Sequence, residues 1–182
     1  MQTEGRVGND PQAVWVIDAA HSTVEFEVKN LFFFNVKGRF NNLAGNMMLD
    51  ESDIGRSSVI AAIKAASIDT GLKRRDAHLR SSDFLPVDRY PDIRFESTEV
   101  ERGRDRDTLR VRGLLTIKEK SREVLLEVNE LDRSCSPSGE QIVYYTALTE
   151  LDRFDFEINY GRGLIGRRVK ITINVQASRQ IN

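Results

Sequence analysis

The chain has only two histidines, His21 and His78, and the second stands in the charged run Arg74-Arg75-Asp76-Ala77-His78-Leu79-Arg80. An imidazole beside a carboxylate can move protons, and the same pair of groups can ligate a metal ion. The candidate polar cluster is therefore Asp69, Arg75, Asp76 and His78, joined by His21. Asp76 and His78 are two residues apart, a spacing that does not place side chains on one helical face. No HExxH, CxxC or GxSxG pattern accompanies them. One reading is a metal-dependent enzyme using His21, His78 and Asp76. A second has Arg75 and Asp76 pair or cap to pin a flap, with His21 in a turn hydrogen bond. A third brings Arg75 or His78 to a ligand headgroup at a cavity mouth.

A second stretch combines Arg153-Phe154-Asp155-Phe156 with Asn159-Tyr160-Gly161-Arg162-Gly163-Leu164-Ile165-Gly166. Its glycines follow neither the GxxxxGK[ST] spacing nor GxGxxG ahead of a helix, so they read as a turn between strands. Arg162, Arg167 and Arg168 could attract an anionic headgroup or a partner. Over the whole chain, 27 basic residues face 28 acidic ones, for a net charge of -1. That balance gives no global pull toward nucleic acid or an anionic membrane.

The elements that must position these residues are nearly all strands. Val24, Phe26 and Val28 alternate with Thr23, Glu25, Glu27 and Lys29, the period of two that marks a half-buried strand. Val36 to Asp50 and Ser57 to Ala66 read as further strands, the latter rich in alanine. Leu109, Val111, Gly113, Leu115 and Ile117 share one face. Val124, Leu126 and Val128 share another, and Val169, Ile171, Ile173 and Val175 a third. Arg74 to Phe84 alone suits about two helical turns, ended before Pro86 and Pro91. About eight long strands joined mostly by short turns predict an all-β fold, an eight-stranded antiparallel barrel with a short helical flap. Such a barrel is either filled by side chains or holds one small ligand. Its aromatic residues, Phe32 and Phe33 among them, fill a core or line a cavity.

The chain resembles the YceI-like family, the lipocalin-like proteins described as binding polyisoprenoids. The resemblance is carried by Trp15-Val16-Ile17-Asp18 with His21-Ser22-Thr23-Val24-Glu25-Phe26, and by Val36-Lys37-Gly38-Arg39-Phe40 with Gly45 and Leu49-Asp50. Ser67 to Phe95, Gly113-Leu114-Leu115-Thr116-Ile117 and Arg153-Phe154-Asp155-Phe156 continue it in the family's order. This chain has Asn30, Lys118-Glu119 and Glu157 where the family usually has His, His-Gly and Gly.

The resemblance implies an isoprenoid-type chain inside a lipocalin-like barrel, without catalysis. The expected ligand is an isoprenoid, an isoprenoid quinone or a fatty acid derivative, carried or sequestered. Phe26, Phe40, Ile63, Phe84, Phe95, Leu115 and Tyr145 are the expected lining, with His21, Arg75 and His78 as polar contacts. The alternative without a ligand is a solid-core stress or interaction protein. A homodimer is an expectation of the resemblance alone. No stretch of 18 apolar residues predicts a transmembrane helix. Residues 1–13 read as a disordered tail without an export signal, so the expected location is the cytoplasm, or the periplasm if a signal has been removed. The single Cys135 excludes an internal disulfide. The barrel is expected to occupy 14–182 as one domain.

Overall fold

Period-two alternation commits most of the chain to strands, and their pairing closes them into a barrel. Residues 13–30 and 34–180 are described by the computed structural model. Most of the tail read over 1–13, with Leu31, Phe32 and Phe33, lies outside the described residues. Ala13 does not belong to that tail: it is buried and pairs with Leu49.

Among the described residues are eleven strand segments, all paired antiparallel: β1 (Ala13–Ile17), β2 (Thr23–Asn30), β3 (Asn35–Phe40), β4 (Leu43–Leu49), β5 (Ser58–Lys64), β6 (Ile68–Asp69), β7 (Asp92–Arg102), β8 (Thr108–Ile117), β9 (Lys120–Cys135), β10 (Glu140–Asp152) and β11 (Ile165–Gln180). They fill eight positions, because three positions hold two segments each. β1 and β2 follow one another along the same edge of β11, through Ile17 opposite Ala177 and Val24 opposite Ile173. β4 continues from β3, with Met47 opposite Trp15 and Gly38 opposite Phe26. β5 then pairs with β4, and β6 with β3. β7 to β11 complete the ring, and the β1–β11 pairing closes it. Among the described residues, closure leaves no long unpaired edge to invite another chain. The result is an eight-stranded antiparallel barrel of the lipocalin-like kind.

The one α-helix among the described residues, α1 (Lys73–Leu79), follows β6 and packs against it. It is shorter than the Arg74–Phe84 span suggested by sequence. The chain leaves helical geometry at Arg80, six residues before Pro86. The barrel's far end, away from α1, is closed by side chains. Trp15 is buried there with the Arg133 and Arg179 guanidinium groups over its ring, at 5.8 and 4.9 Å. Tyr145 donates its hydroxyl to Glu130 Oε2 at 3.1 Å, and burial together with the Glu130 charge pushes the phenol pKa up. Ile54, on a 3-10 turn (Ile54–Arg56), packs against Val100, Val111, Leu126 and Ala147.

Candidate functional site

Inward side chains from all eight positions surround a cavity of about 310 Å³. Strand alternation explains the wall: Val59, Ala61 and Ile63 of β5 face it, while Ile60 between them is exposed. β8 contributes Leu109, Val111, Leu115 and Ile117 by the same rule. Two glycines make room for aromatic rings. A Cβ on Gly38 would lie 2.5 Å from Phe26 Cζ, and one on Gly113 would lie 2.5 Å from Phe95 Cζ. The rings of Phe26 and Phe95 thus lie across neighbouring strands, at positions no larger residue would leave open. Phe26 and Phe40 meet at 5.8 Å between ring centroids, tilted by 50°.

Polar side chains are scarce in the lining. Among the described residues, Ser57, Ser58, Thr149, Tyr145 and Arg153 are the polar ones. Three of them are already committed, Ser57 Oγ accepting from the Asp50 amide at 2.9 Å. Tyr145 is held by Glu130. Arg153 is buried and donates to four carbonyls, those of Ile158, Tyr160, Ile165 and Gly166, at 2.6 to 3.0 Å. Burial, then the nearby Arg162 charge, lower the Arg153 pKa. Arg153 therefore shapes the loop over residues 157–164 around its own guanidinium. Its role was not read from sequence, because its partners are backbone carbonyls that no residue pattern advertises.

Phe26, Phe40, Ile63, Phe84, Phe95, Leu115 and Tyr145 all stand in the lining. The three polar candidates do not. His21 is exposed on the β1–β2 turn, where Nδ1 meets Asp18 Oδ2 at 2.7 Å. Its partner is three residues away in sequence, so the turn itself holds it. Arg75 donates to the Thr70 hydroxyl and carbonyl at 2.7 and 2.9 Å. Asp76, buried, accepts from the Thr70 amide at 2.9 Å and from its hydroxyl. Arg75 and Asp76 thus both grip Thr70, at the end of β6, rather than each other. Asp69 accepts instead from the Gly71 amide.

His78 sits at the flap end of the barrel. Its Nε2 lies 2.6 Å from Asp83 Oδ2. Its ring meets Phe84 edge-on at 5.1 Å and Tyr160 at 4.8 Å, and Phe84 meets Tyr160 at 5.1 Å. This aromatic cluster joins the flap to the 157–164 loop across the top of the cavity, where Leu79, Phe84, Ile158 and Ile165 line it. The arrangement offers an apolar hollow with a latched end. It does not assemble a metal centre: His21, His78 and Asp76 have separate partners on separate elements, and among the described residues no group of three His, Cys, Asp or Glu side chains could hold an ion. No described helix is long and apolar enough to cross a membrane.

The departures at Lys118 and Glu157 are structurally coupled. Both adopt left-handed backbone, with φ of 57° and 56°, a conformation that favours glycine. Lys118 Nζ donates to the Glu157 carbonyl at 3.0 Å, and the Glu157 carboxylate pairs with Lys120 at 3.0 Å. These contacts tie the β8–β9 turn to the start of the 157–164 loop.

Comparison with known proteins places this geometry. The family model described as YceI-like domain matches residues 15–177. A UPF0312 protein of Vibrio cholerae is 33% identical over 149 residues, covering 80% of this chain and 78% of the relative. The crystal structure of Burkholderia cenocepacia BcnA superposes with a TM-score of 0.77 at 21% identity, covering 88% of this chain and 98% of that one. A polyisoprenoid binding domain from Saccharophagus degradans, implicated in plant cell wall breakdown, superposes with a TM-score of 0.65 at 15% identity, covering 90% and 97%. At these identities the two structures speak for the fold alone.

Proposed function

The chain belongs to the YceI-like domain family, and on that premise we propose that the barrel binds one lipid-like chain in its cavity and carries or sequesters it without catalysis. The observation that carries this reading is the nearly unbroken apolar lining of a hollow of about 310 Å³. Ligand pockets begin at about 300 Å³, so the space suits one slender chain rather than a broad ring system. Burial of each CH2 contributes about 0.8 kcal/mol. Ten such groups therefore offer about 8 kcal/mol, enough for micromolar binding before ordering costs are subtracted. Isoprenoids, isoprenoid quinones and fatty acid derivatives meet this requirement. Beyond Ser57, Tyr145 and Arg153, whose partners are given above, the polar side chains of the lining are the hydroxyls of Ser58 and Thr149, so a charged headgroup belongs at the flap end, near His78 and Arg75.

Native mass spectrometry of protein purified from its host, before and after organic extraction, tests the reading. A mass excess removed by extraction and identified as a lipid-like chain is the expected result. Protein that carries no such chain and takes up none when offered overturns it in favour of a stress or interaction role without a ligand.

A further inference from the structure

We propose that the flap end of the barrel docks on anionic phospholipid bilayers; resting on the reading that the cavity holds an apolar chain, it makes the bilayer the place where that chain enters and leaves. Among the described residues, four large apolar side chains project into solvent at this end: Phe34 is 72% exposed, Leu72 57%, Leu164 55% and Tyr160 46%. Register places them together. The Phe34 carbonyl accepts from Asn30, which stands opposite Ile165 in the sheet, next to Leu164. Tyr160 packs on His78 and Phe84 of the flap, which Leu72 precedes. The projecting tips therefore surround the latched end of the hollow.

The charge at this end is unlike that of the whole chain. Residues 71–80 carry Lys73, Arg74, Arg75 and Arg80 against Asp76 alone, and residues 158–168 carry Arg162, Arg167 and Arg168 with no acid. Of the acids flanking these runs, Asp69 lies 3.9 Å from Arg39, Asp83 meets His78 and Glu157 meets Lys120, while Asp155 is exposed beside them. Arginines along the wall sit against carboxylates, as Arg110 does with Glu101 and Arg112 with Glu99, both at 3.2 Å. At the flap end, Arg167 and Arg168 keep this habit, with Asp152 and Glu150. Others bond neutral oxygens: Arg75 those of Thr70, Arg80 the Ala66 and Ile68 carbonyls, Arg162 the Asn159 side chain. Neutral acceptors orient a guanidinium without cancelling its charge. Basic groups interleaved with exposed aromatic and aliphatic tips match the interface of an anionic bilayer, which attracts the charges and admits the tips. A soluble anion would use the charges and leave the tips in water. Opening the latch against a bilayer would let an apolar chain pass between two apolar phases.

Flotation with vesicles tests the proposal, using phosphatidylcholine alone and phosphatidylcholine mixed with phosphatidylglycerol. Binding to the mixed vesicles only, weakened by salt, is expected. Phe34→Ser with Leu164→Ser, and separately Lys73→Gln with Arg74→Gln, should each lower partitioning about tenfold. Ile60→Ser, on the exposed outer wall, should leave it unchanged. Absence of binding, equal binding to both vesicles, or full binding by both rim variants overturns the proposal. So does a dimer that the Phe34 and Leu164 changes dissociate, since the tips would then cover a second copy. Uptake of a fluorescent fatty acid without vesicles is read in parallel and should be equal in wild type and rim variants. Its loss in every protein strikes the cavity reading, whereas vesicle binding speaks to the docking surface alone.

Discussion

Gly113 faces Ser97 across the β7–β8 ladder, and its missing side chain is the space in which the Phe95 ring lies. A Cβ there would also lie 2.5 Å from the Glu96 carbonyl oxygen, which is backbone and cannot swing aside. Gly113→Ala should therefore cost about 1–3 kcal/mol, the range for overpacking, seen as a lower urea midpoint with an unchanged slope. Asp50 offers a pH-dependent case. It is buried after β4, and Oδ1 accepts from the Ser52 hydroxyl and from the Asp53 and Ser52 amides. These hydrogen bonds, led by that of the Ser52 hydroxyl, lower its pKa. A carboxylate with a depressed folded-state pKa stabilises fully above its unfolded value of about 3.9. That contribution is lost as pH falls through the folded-state value. Asp50→Asn should destabilise the protein at pH 7, and its deficit relative to wild type should shrink below about pH 4 in paired denaturant titrations.

At the scale of elements, α1 is too short to be stable by itself, since isolated helices need about 12–15 residues. Its N-cap residue, Leu72, provides no side-chain hydrogen bond. The helix persists because Asp76 and Arg75 hold Thr70, Arg80 reaches the Ala66 and Ile68 carbonyls, and His78 meets Phe84 and Tyr160. Asp76→Ala leaves the Thr70 amide without that acceptor, at a cost of about 1.5–3 kcal/mol for a hydrogen bond to a charged group. The loss should be local. Hydrogen exchange should quicken over residues 70–80 while β8 to β11 keep their protection. Uniform acceleration across the barrel would contradict a flap that opens separately.

For the whole molecule, the central quantity is the volume left when eight positions close into a ring. Ala61 faces the hollow and stands opposite Phe95 on β7. Ala61→Phe places a ring in that space without introducing a polar atom. The barrel should keep its thermal midpoint or gain slightly, while uptake of a fluorescent fatty acid falls at least about tenfold. Undiminished uptake would show that the chain binds elsewhere.

The alternation of Leu109, Val111, Leu115 and Ile117 was legible because period two is a local property, and it identifies inward residues before any partner strand is known. The Asp18–His21 contact is likewise local. Val36 to Asp50, by contrast, reads as one strand, yet it breaks at Asn41-Asn42 so that β3 joins β2 and β6 while β4 joins β1 and β5. No local pattern reveals which strand lies alongside. The same holds for Trp15 between Arg133 and Arg179, for Tyr145 on Glu130, and for Arg153 on four carbonyls. The amino-acid order by itself determined most of the strands, their inward faces and the family. Only the closed fold decided that those faces enclose a hollow, because ring diameter follows from how many strands close and how they tilt, whereas filling it depends on side chains brought together from distant parts of the chain.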